Sequence, residues 1–560
     1  MSYMTATTSA PGNTDTPVNI AATHVIDVAN PKTLKHVPSP FRLGPLDHFA
    51  PTGAPIDVVY VYQKPVHVKT KDFIPIKRLR AAISHLLNYY PHLTGRLQVD
   101  PSNGVRSITK LGMGASLFEA SYDQPLSPFP DPRFHQYQHL PGWSCDIDML
   151  KLPRTGEALI APWDPSFDDE TGIQRGPLLL IQRTQFKCGS VAIGYRISHA
   201  VCAAEGCIHL YQDLCGIYRK LSRDDVGVLD LPPHIIPFGA DRITTDDADQ
   251  VHWATDHPPF GYIVSPQPGE ALGGDADKHM KSTSTSDTAQ DAHTPIVATY
   301  LHFSPEDLAR LKVDATIPND EDSWVSTFEA LVAHLWQRTH QARVRLASYH
   351  AHRMMTGHPR GIPLSKDYLP TPSLWTSINF AHPSRLDLAG QNKGMGKSHY
   401  FPNAILPVFF TAPEDDVLLE DAFDLWDAPL WQVAKLIHER MRHPETTSIE
   451  YALAVANWMC DLPDKRLAKF DFNLFGEWCF VNTDWSKYEL YGERTALDIR
   501  AILAAPPLTK ASNFDGFTTF LKARERGREV HWLAGGIDVM LTMNEAASKY
   551  WDGWLEDLGR

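Results

Sequence analysis

His199 is a candidate for moving a proton, and what surrounds it gives it weight. It closes the run Ser190-Val191-Ala192-Ile193-Gly194-Tyr195-Arg196-Ile197-Ser198 and opens Ala200-Val201-Cys202-Ala203-Ala204-Glu205-Gly206. An imidazole with an unperturbed pKa of ~6.5 takes up and returns a proton near neutral pH, which suits it to general-base work on a hydroxyl or amine. Cys202, three residues on, offers a second chemistry, nucleophilic attack from a Cys–His pair. A small buried thiol that packs as an apolar residue is the plainer reading of it. His350, His352 and His438 lack a third ligand at convincing spacing, so no metal site is expected.

The elements that must position His199 follow from periodicity. Val191, Ile193, Tyr195 and Ile197 alternate with smaller or polar residues, the period of a strand with one buried face. Ile208, Tyr211, Leu214, Cys215, Tyr218 and Leu221 recur at helical spacing. His199 therefore belongs to a junction where a strand ends and a helix begins. Gly176 to Phe186 reads as a preceding strand, turned into the next by Lys187-Cys188-Gly189-Ser190. Upstream, Ile56 to Tyr62 reads as a strand, and Ile76, Leu79, Ile83, Leu86, Leu87 and Tyr90 as a core-facing helical stripe ended by Pro91. Downstream, Ala298 to Phe303 reads as a strand. Ser304-Pro305-Glu306-Asp307 and Ser326-Thr327-Phe328-Glu329 read as helix starts, the second as a capping box.

The 560 residues, 43% of them hydrophobic, suffice for two cored domains. Residues 1–37, rich in Thr, Ser, Pro and Asn, are expected to be a disordered tail. Residues 38–230 and 296–560 are expected to be an N-terminal and a C-terminal domain, joined by a partly disordered Pro- and Gly/Ser/Thr/Asp-rich linker over 231–295. The net charge of -14 argues against a nucleic-acid or anionic-membrane partner. Seven cysteines, odd in number and without a C-x-x-C, argue against a disulfide framework and a thiolate zinc site, and fit a reducing cytoplasm. The N-terminus lacks the apolar core of a signal peptide, and no apolar run is long enough to span a bilayer.

His199-Ala200-Val201-Cys202-Ala203-Ala204-Glu205-Gly206 resembles the H-x-x-x-D-(G/A)-x-G motif of the BAHD-type, CoA-dependent acyltransferases. So do other segments in collinear order: Leu86 to Leu97 resembles L-x-x-x-Y-P-x-L-A-G-R-L, Val325 to Arg343 a Trp- and Arg-bearing helix, and Tyr400 to Ile405 the pattern Y-F-G-N-A-I. The branch it resembles is the fungal one that includes trichothecene acetyltransferases. The resemblance spans roughly residues 40–555. It implies a mixed α/β fold of two chloramphenicol-acetyltransferase-like domains, each a mixed sheet flanked by helices, with a tunnel at their interface. It implies His199 as general base, acyl-CoA as co-substrate with no resident cofactor, and a small-molecule hydroxyl acceptor from secondary metabolism. The expected form is a monomer without a covalent acyl-enzyme.

The departures from the family pattern are specific. Ala203 stands where the family has a structural aspartate that pairs with an arginine. Ala381-His382-Pro383 replaces the aspartate-bearing centre of another segment, although Arg385 is kept. Pro402 replaces a glycine, and Gly492-Glu493-Arg494-Thr495-Ala496 stands where D-F-G-W-G is expected. Glu205 is a candidate substitute carboxylate, but at i+6 it need not share the direction of i+4. Two further readings stay open beside acyl transfer: a cyclase or pericyclase on the same scaffold without CoA, and a non-catalytic binding protein. Condensation domains of non-ribosomal synthesis share the histidine motif but carry a histidine pair, and here Ser198 precedes His199.

Overall fold

The computed structural model describes residues 17–65, 68, 72–126, 149–162, 174–222, 258–268, 295–320, 322–356, 370–381, 401–411, 424–472, 478–524 and 535–551. Two six-stranded mixed sheets organise them. The first has the spatial order Asn19–Ile26, Ala115–Tyr122, Leu179–Phe186, Val191–Ile197, Ile56–Tyr62 and Leu503–Ala505. Its second and third strands run parallel, and the other neighbours are antiparallel. The second has the order Ile296–Phe303, Ile537–Asn544, Phe517–Lys522, Cys479–Trp485, Ser373–Asn379 and Ile405–Thr411, with the Cys479–Trp485 strand parallel to both of its neighbours.

Val191–Ile197 is central to the first sheet and buried at every residue. Leu179–Phe186 and Ile56–Tyr62 flank it, and the helices Ile76–Tyr89 and Ala204–Ser222 pack against each other beside it. Gly194 is required there, because a Cβ on it would lie 2.0 Å from the Leu159 carbonyl oxygen. The turn at Lys187 to Ser190 places Gly189 at φ +85°, a conformation open to glycine at little cost. Both expected helix starts are capped reciprocally. Asp307 N donates to Ser304 Oγ and Ser304 N to the Asp307 carboxylate, both at 3.1 Å. Glu329 N donates to Ser326 Oγ at 3.2 Å and Ser326 N to Glu329 Oε2 at 2.7 Å.

The tail expected over 1–37 needs correction. Asn19–Ile26 is the edge strand of the first sheet, paired with Ala115–Tyr122, and Pro31–His36 is a short 3-10 helix capped by Asn30. An edge strand buries one face only, so polar Asn and Thr on the other face leave a sequence that reads as a loose tail. Within the expected linker, Tyr262–Val264 pairs with Ala468–Phe470. Most of 231–295, and Arg385 with His382 and Pro383, lie outside the described residues.

Two large apolar cores lie among the described residues, and each takes side chains from the other part of the chain. Leu46 and Phe49 lie in the core of the second sheet, where the Phe49 ring sits 5.0 Å from Tyr262 and 5.9 Å from Phe470. In return, Trp485, Leu490, Leu497 and Leu503 to Ala505 join the core of the first sheet.

Candidate active site

Hydrogen bonding shapes the junction that carries His199. Ser198 N donates to the Leu178 carbonyl at 2.9 Å, which ends the strand in register with its neighbour. Val201 N donates to the Ser198 carbonyl at 3.2 Å, a tight turn around His199, and Cys207 N donates to the Ala203 carbonyl as the helix Ala204–Ser222 begins. The strand-to-helix junction expected from the sequence is therefore present.

Asn403, from a loop that leads into the second sheet, reaches across to this turn. Its Nδ2 donates to the His199 carbonyl at 2.9 Å and to Asp47 Oδ1 at 2.8 Å. Its backbone N donates to the same Asp47 oxygen at 2.9 Å. The other carboxylate oxygen, Asp47 Oδ2, accepts from Gly44 N at 2.9 Å. Arg106 spends its guanidinium on backbone, donating from Nη1 to the carbonyls of Asp47 at 2.9 Å and Ala50 at 2.6 Å. His48 Nδ1 donates to the Gly44 carbonyl and its Nε2 accepts from Arg106 N, so the ring is neutral. Burial holds its pKa at about 3, and the same burial pushes the Asp47 carboxyl up to about 6 against the hydrogen bonds from Asn403 and Gly44.

The second approach between the two parts is steric. A Cβ on Gly206 would lie 2.4 Å from the Phe401 carbonyl oxygen and 3.0 Å from Cys202 Cβ. Glycine at this motif position lets the Phe401–Asn403 loop reach the start of the helix.

The His199 side chain is half-buried, and its Nδ1 is covered and makes no hydrogen bond. Burial lowers its pKa from the ordinary 6.5, and Arg106 adds to the effect. The carbonyls of His199 and Cys202 and the Asn403 side chain oppose it. The imidazole is thus a free base at neutral pH.

Ala203 is buried, and its place is taken by none of the carboxylates weighed from the sequence. Glu205 accepts a hydrogen bond from Asn379 Nδ2 at the end of a strand of the second sheet. The arginine nearest in sequence to His199, Arg196, is satisfied elsewhere. Its Nε and Nη2 form a bidentate pair with Asp57 at 2.7 and 2.9 Å, and its Nη1 donates to the Ala161 carbonyl at 2.8 Å. The segment in place of D-F-G-W-G is a 3-10 turn, Glu493–Thr495, lying on the helix Ala204–Ser222. Its Thr495 carbonyl accepts from Tyr62 Oη at 2.8 Å, and the Ala496 carbonyl accepts from Arg219.

Cys202 is fully buried and its thiol is raised well above the ordinary value by burial, which removes it as a nucleophile at neutral pH. His438 bonds Glu329 at 3.1 Å, and no cluster of three or more metal-ligating side chains occurs among the described residues. The side chains of His350 and His352 are outside them. A cleft of about 250 Å³ lies between Trp324 and the helix Leu430–Arg440, lined by Asp320, Trp431, Lys435 and Glu439. It includes no residue of the His199 junction. No helix among the described residues is long and apolar enough to cross a membrane.

Asp47 and Asn403 are the residues whose part the sequence left unread. Asn403 stood inside a segment noted for another reason, Tyr400 to Ile405, but nothing local ties it to Asp47.

Two mixed sheets meeting at a strand-to-helix histidine define an acyltransferase-like scaffold. The model of the Transferase family matches residues 16–137 and 165–355, more than half of the chain, and the chain belongs to this family, the BAHD-type acyltransferases. Its relatives include taxadien-5-alpha-ol O-acetyltransferase of Taxus chinensis, 30% identical over 160 residues (27% of this chain, 30% of the relative), and hydroxycinnamoyltransferase 2 of Oryza sativa subsp. japonica, 27% identical over 272 residues (48% and 50%). The chain thus spans between about a third and a half of the length of these relatives. Among solved structures, F. sporotrichioides TRI101 complexed with coenzyme A and T-2 superposes with a TM-score of 0.58 at 14% identity, covering 92% of this chain and 97% of that one. Vinorine synthase gives 0.56 at 14%, covering 97% and 98%. At these identities the structures show a shared fold, the mixed two-sheet fold expected from the sequence.

Proposed function

We propose that this protein transfers an acyl group from acyl-CoA to a hydroxyl of a small secondary metabolite, with His199 as general base. The observation that carries the reading is the placement of His199: a neutral, half-buried imidazole at the junction where both sheets meet, held through its carbonyl by Asn403. In this reaction the imidazole takes the acceptor's hydroxyl proton as the oxygen attacks the thioester carbonyl. The tetrahedral intermediate then collapses, the C–S bond breaks, and the imidazolium returns its proton to the leaving thiolate. No covalent acyl-enzyme intervenes. The names of the relatives above, an O-acetyltransferase and a hydroxycinnamoyltransferase, support this class, as does the coenzyme A bound to a structural neighbour.

Ala203 gave weight to a reaction without CoA on the same scaffold. The Asp47–Asn403 pair weakens that alternative, because a buried carboxylate still anchors the His199 turn. The reading takes 38–230 and 296–560 as the two domains that bring acceptor and donor together, in a cytoplasmic monomer. Its test is CoA release from a panel of acyl-CoA donors, with and without hydroxylated acceptors, for wild type and His199→Ala. The expected result is acceptor-dependent release that falls by about 10²-fold or more in the variant, the scale of losing a general base. A folded His199→Ala that keeps wild-type turnover overturns the assignment.

A further inference from the structure

We propose that Asp47 and Asn403 form a latch that sets the His199 turn, supplying the positioning that a carboxylate at position 203 would supply in the family pattern. Its kinetic consequences rest on the acyltransfer reading above; the latch itself rests on geometry.

Three features carry it. First, the latch is saturated. Asp47 is 0% exposed and Asn403 4% exposed, and Asp47 accepts from Gly44 N, Asn403 N and Asn403 Nδ2. The Asn403 amide gives one hydrogen to Asp47 and the other to the His199 carbonyl. That fixes its orientation, since the flipped amide would turn its oxygen toward both a carboxylate and a carbonyl. Second, the latch joins parts of the chain 356 residues apart, so it positions His199 relative to the second sheet as well as to its own strand. Third, Gly206 lets the same loop close against the first turn of the helix through the Phe401 carbonyl. Two independent contacts of one loop thus flank His199, one at its carbonyl and one at the helix that follows.

Burying a carboxylate is costly unless its hydrogen bonds are complete. Asp47 shows that cost in its raised pKa, which the hydrogen bonds from Asn403 and Gly44 and the charge of Arg106 offset only in part. Among the described residues, the charged or titratable groups around the turn include Asp47, His48, Tyr90, Arg106, Cys202, Glu205 and Cys207. Asp47 and Asn403 are positioning residues: they act on the reaction through the placement of His199.

The experiment compares wild type, Asn403→Ala, and the exchanged pair Asp47→Asn/Asn403→Asp. Melting temperature, kcat and KM for acyl-CoA are read alongside the pH midpoint of His199 modification by diethylpyrocarbonate, mapped by mass spectrometry. Asn403→Ala is expected to lower kcat by about 10-fold or more with KM within about 3-fold, the pattern of a misplaced catalytic group. It is also expected to move the His199 midpoint down, because the Asn403 side chain raises it in the wild type. The exchanged pair leaves position 47 a single acceptor oxygen for the three N–H groups that Asp47 accepts from, so its amide nitrogen must face either Gly44 N or the backbone N at 403, and it turns a carboxylate toward the His199 carbonyl. It is expected to recover neither melting temperature nor kcat. A folded Asn403→Ala with kcat and midpoint unchanged overturns the latch, as does an exchanged pair that recovers kcat. Should the wild type turn over no acyl-CoA, the acyltransfer reading fails by itself. The modification midpoint, which needs no turnover, then decides the latch: a downward shift in Asn403→Ala supports it and an unchanged midpoint overturns it.

Discussion

Replacing His92 with phenylalanine isolates one group in the acid sensitivity of this fold. His92 is 2% exposed and packed among the rings of Phe41 at 5.3 Å, Phe401 at 5.4 Å and Tyr90 at 6.3 Å. Burial holds its pKa at about 3 against an ordinary 6.5, and His48 is held at the same value. A histidine depressed in this way contributes stability that is complete above 6.5 and is lost as pH falls toward 3, because the unfolded chain takes the proton and the folded one does not. Between pH 7.5 and 5.5 the unfolded histidine gains about 1.4 kcal/mol from protonation and the folded one almost nothing. Asp47 works in the opposite sense. Raised from 3.8 to about 6, it contributes stability that is present below 3.8 and lost as pH rises through 6, returning about 0.8 kcal/mol at pH 5.5. Together the three groups take about 2 kcal/mol from the fold over that interval. Urea denaturation of wild type and His92→Phe at pH 7.5 and 5.5 measures it. The variant is expected to lose about 1.4 kcal/mol less than wild type on acidification, and any cost of fitting phenylalanine cancels because it is the same at both pH values. Equal acid losses in the two proteins would refute the assignment of His92 as a buried neutral ring.

Asp57→Ala strands the Arg196 guanidinium, whose side chain is 6% exposed, and is expected to cost about 3–5 kcal/mol by denaturation; Asp57→Leu/Arg196→Met should recover most of it, and no recovery would deny that the unpaired charge is the cause. Cysteine alkylation at pH 8 should label Cys188 first. Burial raises that exposed thiol, but hydrogen bonds from Ser190 and Leu126 outweigh it and bring it below its ordinary value. Cys202, Cys207 and Cys215 are buried and raised, so mass spectrometry should find them labelled only after unfolding.

The parts of the fold that were legible are those whose information is local. The strand from Val191 to Ile197, the helical stripe after Gly206 and the two reciprocal caps at Ser304 and Ser326 each lie within one element, and each is found in place, although the strand is central and buried on both faces rather than on the one its alternation predicted. Asn19–Ile26 escaped because an edge strand with one wet face spends Thr and Asn as a tail does. Leu503–Ala505 escaped because three residues carry no period, and its pairing with Ile56–Tyr62 is set by packing far along the chain. The place of His199 between a strand and a helix was legible from the change of period. The Asp47–Asn403 contact was not, since it depends on how two sheets dock rather than on any spacing in the sequence.

The exchange of side chains between the two cores bears on how the chain is made. The edge strand Leu503–Ala505 completes the first sheet, and the turn Glu493–Thr495, which bonds Tyr62 and Arg219, packs on it, yet Thr495 is made 433 residues after Tyr62. Leu46 and Phe49, made before any strand of the second sheet, wait for the second core to receive them. Folding during synthesis therefore cannot finish one half before the other, as it does for chains whose domains close in sequence. On the ribosome the first sheet stays open along the Ile56–Tyr62 strand until residue 505 has emerged, and an expression fragment cut anywhere in 231–295 inherits the same open edge.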